Sequence, residues 1–198
     1  MKNTGIILLA AGNSTRMGSP KQLLLYQGKT LLERIVETSL QVFDNNKIIL
    51  VLGANHSEIA FQIKDKITLI SVNEEWESGM ASSIKSGLQT LLNHFPEMER
   101  CFISVCDQPY LSSEVFIEML KLADYSSKEI IAAKYAGTIG VPALFSKKYF
   151  KKLLHLSGEQ GAKKIIQQNM DDVNIFTFDE GAIDIDTPSD YENLKTKE

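Results

Sequence analysis

The chain has few of the residues that staple small folds or gather metal ions: 2 cysteines and 3 histidines in 198 residues. The cysteines, Cys101 and Cys106, flank one apolar run, and a strand puts residues five apart on opposite faces. That argues against a disulfide between them and for two buried, reduced thiols, as in a reducing cytoplasm. His56, His94 and His155 are too dispersed to suggest a common ligand set. No apolar stretch approaches the ~20 residues of a membrane span, and residues 5–11 are too short for a signal peptide. Positive charge is also scarce: 21 Lys and Arg are interleaved with 25 Asp and Glu, for a net charge of -4. Without a basic stripe, a surface that tracks nucleic-acid phosphates is not expected. Low-complexity stretches, linkers and internal repeats are missing too. The expectation is one cytoplasmic domain over residues 1–198, with neither nucleic acid nor membrane as partner.

What the chain does have is alternation. Apolar, β-branched runs predict strands at 5–11, 47–53, 68–72, 101–106, 129–135, 141–146, 173–178 and 182–185. Helical spacing predicts helices at 30–43, 57–67, 80–95, 112–124, 147–156 and 161–169, with a last helix opened by Pro188 and capped by Thr187. Ser57 and Ser112 read as N-caps of the second and fourth helices. Strand–helix alternation at this pitch implies βαβ crossovers and a mostly parallel sheet, an α/β fold, with the late short strands as a small excursion. Ligands of such sheets bind beyond the carboxyl ends of the strands. Polar residues concentrate in those places, at 11–21, 53–56, 107–110 and 186–188.

The first strand runs into Ala10-Ala11-Gly12-Asn13-Ser14-Thr15-Arg16-Met17-Gly18-Ser19-Pro20-Lys21. Small residues let backbone N–H groups approach an anion, and Arg16 and Lys21 add positive charge. The spacing is neither that of a P-loop nor the three-glycine dinucleotide fingerprint, which counts against a nicotinamide enzyme. A mobile loop with solvated basic residues accounts for position alone equally well. Asp107 follows the buried run 101–106, where a carboxylate needs solvent, a partner or a metal ion. Alternation in Ile183-Asp184-Ile185-Asp186 puts both aspartates on one face, though an isolated Asp-Thr-Pro is more simply a helix cap. Gly79-Met80-Ala81-Ser82-Ser83 opens a long helix, with Ser78 or Ser82 as its simplest cap, and Trp76 nearby reads as a stacking platform or a packing anchor.

Together these segments resemble the MobA-like nucleotidyltransferases. LAAGNSTRMGSPK resembles the family's L-A-(A/G)-G-x-S-x-R-M-G-x-x-K signature, and the Ala-Ala-Gly form is similar to that of its molybdenum cofactor cytidylyltransferases. Asp107-Gln108-Pro109 and Asp184-Ile185-Asp186-Thr187-Pro188 are similar to the family's Asp-x-Pro and terminal (D/N)-(I/V)-(D/N)-T-P motifs. The resemblance implies a three-layer, Rossmann-like nucleotide-diphospho-sugar transferase fold with a mostly parallel mixed sheet. It implies that Leu9, Ala10, Ala11 and Gly12 contact a nucleotide, and that Arg16 and Lys21 neutralise its phosphates. It assigns Asn73, Gly79, Met80 and Ser83 to the base. Arg16, Lys21 and Asp107 would be the catalytic set. Asp107 and Asp186 would hold Mg2+, with Asp184 as a weaker ligand or a loop-ordering residue. Gly140, Pro142 and Gly161 would lie by the acceptor.

Two departures stand out: Val141 where histidine is frequent, and Lys163 where arginine is commoner. The activity implied is transfer of CMP from CTP to molybdopterin with release of pyrophosphate, with a molybdoenzyme or its chaperone as a further partner. GTP use, another phosphorylated acceptor, or a non-catalytic molybdopterin carrier are the alternatives.

Overall fold

The computed structural model describes residues 3–67 and 69–196; Thr68, assigned above to the third strand, lies outside them. The chain opens with β1 (Thr4–Ala10), whose residues are almost all buried. A small ribbon follows, β2 (Leu25–Tyr26) against β3 (Lys29–Thr30). Thr30 then starts α1 (Leu31–Leu40) through a capping box with Glu33. The remaining elements are β4 (Ile48–Leu52), α2 (His56–Ile63), β5 (Leu69–Val72), α3 (Met80–His94), β6 (Arg100–Val105) and α4 (Ser113–Tyr125). After them come β7 (Ile130–Tyr135), β8 (Thr138–Ser146), α5 (Phe150–Leu154), α6 (Ala162–Gln168), β9 (Val173–Thr177) and α7 (Pro188–Lys195).

Among the described residues, seven strands form one sheet in the order β5-β4-β1-β6-β8-β7-β9. Strands β5, β4, β1 and β6 run parallel, β8 is antiparallel to both neighbours, and β9 pairs parallel with β7. This is the mostly parallel mixed sheet of a three-layer α/β fold. Alternation along β1 shows why both faces need cover. Ile7 and Leu9 join α3, α5 and α6 in one core, while Ile6 and Leu8 join α1, α2 and α4 in the other. The cysteines follow the same rule: both are buried and free, one in each core.

The chain moves from β1 outward to β4 and β5, then returns through α3 to β6 on the other flank of β1. The order reverses there, and a crevice opens between the carboxyl ends of β1 and β6. Leu9 and Val105 are register partners at that point.

Four local expectations are corrected. The sixth strand begins at Thr138 and forms a hairpin with β7 inside the main sheet. Its two-residue turn, Ala136 and Gly137, has both φ values positive, as a primed turn requires. Residues 182–185 form no strand. Asp179–Ala182 is a 3-10 turn, and the segment is pinned by one ladder-like bond from Ile185 N–H to the Asp107 carbonyl at 3.0 Å. Ile185 packs instead with Tyr26, Leu31 and Leu194 in a third, smaller core. The second helix begins at His56 with Asn55, at φ 55°, in the cap position in place of Ser57. Ser112 holds its cap position without a side-chain bond to the helix backbone.

Close approach of α3 to the sheet depends on Gly87. A Cβ there would stand 2.5 Å from Ile7 Cγ2 and 2.7 Å from Val51 Cγ2, both fully buried on central strands. Helix propensity favours alanine over glycine by ~1 kcal/mol, but over-packing costs about 1–3 kcal/mol. The Gly87→Ala variant is therefore expected to lower the urea unfolding midpoint. A raised midpoint would show that α3 is free to move away from the sheet.

Candidate active site

The loop after β1 is held by its own side chains. Gln22, 1% exposed, donates from Nε2 to the carbonyls of Ala10 at 2.8 Å and Gly12 at 3.0 Å. Ser14, at φ 53°, accepts on Oγ from the Lys21 N–H at 3.0 Å. These bonds fold residues 12–21 back over the strand end and aim Lys21 inward. Its Nζ donates to Asp107 Oδ2 at 2.5 Å and to Asp186 Oδ1 at 2.7 Å. Asp107 is carried by the end of β6. Asp186 is carried by the entry to α7, where Thr187 and Asp190 form a capping box and the Asp186 N–H donates to Asp190 Oδ2 at 3.2 Å. Arg16 completes the cluster from outside, with Nη2 2.9 Å from Asp186 Oδ2.

The electrostatics follow from this geometry. Burial disfavours the Lys21 ammonium, but the Asp107 charge and the bonds to Asp107 and Asp186 outweigh it and hold the group above its ordinary value. Burial likewise raises Asp186, yet Lys21 and Arg16 prevail and keep its carboxyl below the usual range. For Asp184 the balance is reversed: burial and the charges of Asp107 and Asp186 push it up and outweigh the pull of Lys21. Cys106, beside the cluster, is pushed up to about 12 by burial and then by the Asp107 charge. It is a protonated thiol at neutral pH, not a nucleophile.

Lys21 and Asp107 form part of the wall of a cavity of about 570 Å³ between β1, β6 and the start of α3. Leu9, Ala10, Ala11, Gly12, Lys21, Gly79, Met80, Ser83 and Asp107 all line it. The opposite wall is built by close backbone approach. Gly79 has φ 102°, and a Cβ on it would stand 2.4 Å from the Gly158 carbonyl, which accepts from the Ala81 N–H at 3.1 Å. Asn73 lies behind this wall and donates to Ser82 Oγ at 2.8 Å and Ser83 Oγ at 3.0 Å, so it positions the helix start. No side chain caps α3: the Ser82 hydroxyl donates to the carbonyls of Gly79 and Glu75, and Ser78 to Glu75.

Arg16, Asp186, Gly140, Pro142 and Gly161 stand outside the cavity lining. Gly140 and Pro142 lie on β8, which Gln108 ties to the site by donating to the Val141 carbonyl at 3.3 Å and the Gly181 carbonyl at 3.1 Å. Gly161 approaches Met80 so closely that a Cβ would meet its Sδ at 2.6 Å. Lys163 donates to Thr138 Oγ1 at 2.6 Å. Sequence reasoning left Trp76 undecided and passed over Gln22, Glu77 and Glu159, all four of which line the cavity. A glutamine twelve residues after a strand-end alanine carries no local signal of a tether.

The donor set suits a divalent cation. Two carboxylates already converge on one positive centre, and magnesium takes one or two carboxylates plus phosphate oxygens and water. Among the described residues no group of three or more His, Cys, Asp or Glu side chains is arranged to hold a metal ion.

Residues 6–173 match the model of the MobA-like NTP transferase domain, and the chain belongs to that family of nucleotidyltransferases. It is 27% identical to the molybdenum cofactor cytidylyltransferase of Escherichia coli K12 over 96% of this chain and 95% of that one. A stretch of 109 residues is 38% identical to nicotine blue oxidoreductase of Paenarthrobacter nicotinovorans, covering 54% of this chain and only 50% of that relative. In structure it is similar to Rv0371c of Mycobacterium tuberculosis H37Rv, with TM-score 0.81, 28% identity and 98% of each chain covered. A second structure of Rv0371c, a complex with manganese, gives TM-score 0.75 at 26% identity, again with 98% of each chain covered.

The depressed Asp186 carboxyl stabilises the fold above the unfolded-state value near 3.9 and loses that contribution as the pH falls through the folded value. Asp186→Asn should therefore lower the Tm at pH 7 and converge with the parent in acid. A Tm difference that grows on acidification would contradict this linkage.

Proposed function

We propose that this chain is a cytoplasmic, Mg2+-dependent cytidylyltransferase that transfers CMP from CTP to the phosphate of a molybdopterin-type acceptor and releases pyrophosphate. The observation that carries the reading is the Lys21 ammonium, bound by Asp107 and Asp186, beside a cavity lined by nine of the residues assigned to the nucleotide or its ion. Cytidine is favoured over guanosine by the Ala10-Ala11-Gly12 loop alone, since a cytidylyltransferase and a guanylyltransferase are each 27% identical to this chain over nearly the whole of both chains. The reading treats residues 1–198 as one catalytic unit.

On this reading Asp107 and Asp186 would hold the ion, which when bound supplies Lewis-acid polarisation of the α-phosphate. The remaining chemistry is positioning and charge. Loop N–H groups cradle the phosphates, while Lys21 and Arg16 neutralise the charge that gathers on the departing pyrophosphate. Asn73 fixes Ser82 and Ser83 at the helix start that meets the base. The acceptor, a phosphate monoester, is ionised at neutral pH and attacks the α-phosphorus in line without a strong base. Cys106, kept protonated, forms no covalent intermediate. Gly140, Pro142 and Gly161 form the acceptor side. A molybdoenzyme or its chaperone would receive the product.

The test is a panel of CTP, GTP, UTP and ATP with Mg2+ and molybdopterin, scored by product mass. A cytosine dinucleotide product with pyrophosphate is expected; no nucleotide product with any member would refute the reading. A parallel titration with NADH and NADPH checks the partial likeness to an oxidoreductase, and no binding is expected. Asp107→Ala is expected to cut turnover about 10²- to 10³-fold, the range lost when charge stabilisation at a reacting centre is removed, with the far-UV spectrum intact. A near-parental rate would remove Asp107 from the ion site. Lys21→Ala is expected to raise the Kd for CTP at least about tenfold, the loss of one charge-assisted contact; unchanged affinity would refute its phosphate role.

A further inference from the structure

Lys21 occupies the place where the two carboxylates could jointly hold an ion. Its Nζ is 2.5 Å from Asp107 Oδ2 and 2.7 Å from Asp186 Oδ1, so one positive centre satisfies both. The side chains of Lys21 and Asp107 are each only 17% exposed, so solvent screens their interaction weakly. Among the described residues Lys21 is the hydrogen-bond partner found for the Asp107 carboxylate, whereas Asp186 also has Arg16. Arg16 is 68% exposed and reaches only the outer oxygen of Asp186. The two cations are thus not equivalent: Arg16 is a solvated rim contact, while Lys21 is the partly buried counter-ion of the whole pair.

We propose that Lys21 gates the ion site: in the free protein it holds Asp107 and Asp186 and denies them to a divalent ion. It yields them only when a triphosphate draws its ammonium away, so ion and nucleotide enter together. The proposal rests on the assignment of Asp107 and Asp186 as the ion-holding pair. A divalent ion arriving alone would meet an ammonium already seated between its two ligands, and like charges in a weakly screened crevice repel strongly. A triphosphate removes that obstacle, because it offers Lys21 several phosphate oxygens in exchange for two carboxylates. The Lys21 backbone stays fixed meanwhile, since its N–H is bonded to Ser14 and the next residue, Gln22, is tethered to Ala10 and Gly12. Only the side chain needs to swing. By linkage, nucleotide then tightens ion binding by the same factor as ion tightens nucleotide binding, and such couplings typically span about 5- to 150-fold.

The experiment measures Mn2+ binding by the electron paramagnetic resonance of the free ion, with no acceptor present, with and without CTP. The proteins are the parent, Lys21→Met, Lys21→Gln, Arg16→Met and the double variant Lys21→Met/Asp107→Asn. Lys21→Met and Lys21→Gln are expected to bind Mn2+ alone at least about tenfold tighter than the parent, within that range of couplings. Arg16→Met should change little, and the double variant should lose the gain. CTP should tighten Mn2+ binding strongly in the parent and much less in the Lys21 variants. Parental Mn2+ affinity equal to that of both Lys21 variants would overturn the gate while leaving the ion site intact. Retention of Mn2+ by none of the proteins, even with CTP, would overturn the assignment of Asp107 and Asp186 itself. Circular dichroism of each variant confirms its fold, and Lys21→Gln decides the matter if Lys21→Met is unfolded.

Discussion

One ammonium shared by two carboxylates organises this molecule. Lys21, Asp107 and Asp186 come from three distant parts of the chain, and each is delivered by a different device. Parallel pairing sets the end of β1 beside the end of β6. The Gln22 amide folds the first loop over the strand end. A single backbone bond from Ile185 to Asp107, followed by the Thr187–Asp190 capping box, fixes the approach to Asp186. Charges in a half-dry crevice persist only where opposite charges satisfy them. The fold therefore has to close around this cluster, and the crevice at the sheet's reversal is where it can.

The cavity is electrically lopsided. Lys21 lies on the β1–β6 side, whereas Glu77 and Glu159 line the rim near the start of α3. Under the proposed function this confines the triphosphate to one side, because the acidic rim repels it. The base is left to a wall of backbone and small side chains built by the contact of Gly79 with Gly158. Glycine is required there for two reasons at once, a φ of 102° and a neighbour that leaves no room for a Cβ.

Much of this was legible in the residues. Buried β-branched runs announced the parallel strands, and the glycine loop, Asp107 and Asp186 stood at strand ends or chain turns where ligands bind. Features that depend on partners distant in sequence were not legible. Ile183-Asp184-Ile185-Asp186 alternates like a strand, but its pairing stops at the one bond from Ile185 to Asp107, and tertiary packing of Ile185 decides its course. The β7–β8 hairpin escaped notice because Ala136-Gly137 lacks the usual Asn-Gly signal, although the backbone takes the primed turn all the same. Gln22 reads as an ordinary loop residue, and its role exists only once Ala10 and Gly12 present their carbonyls to it.

The most direct measurement is anomalous diffraction from crystals grown with CTP and Mn2+. The account predicts a manganese peak shared by Asp107 and Asp186, with Lys21 Nζ moved onto a phosphate oxygen of the nucleotide. A manganese ion bound elsewhere, or Lys21 still bridging the two carboxylates beside a fully bound triphosphate, would contradict it.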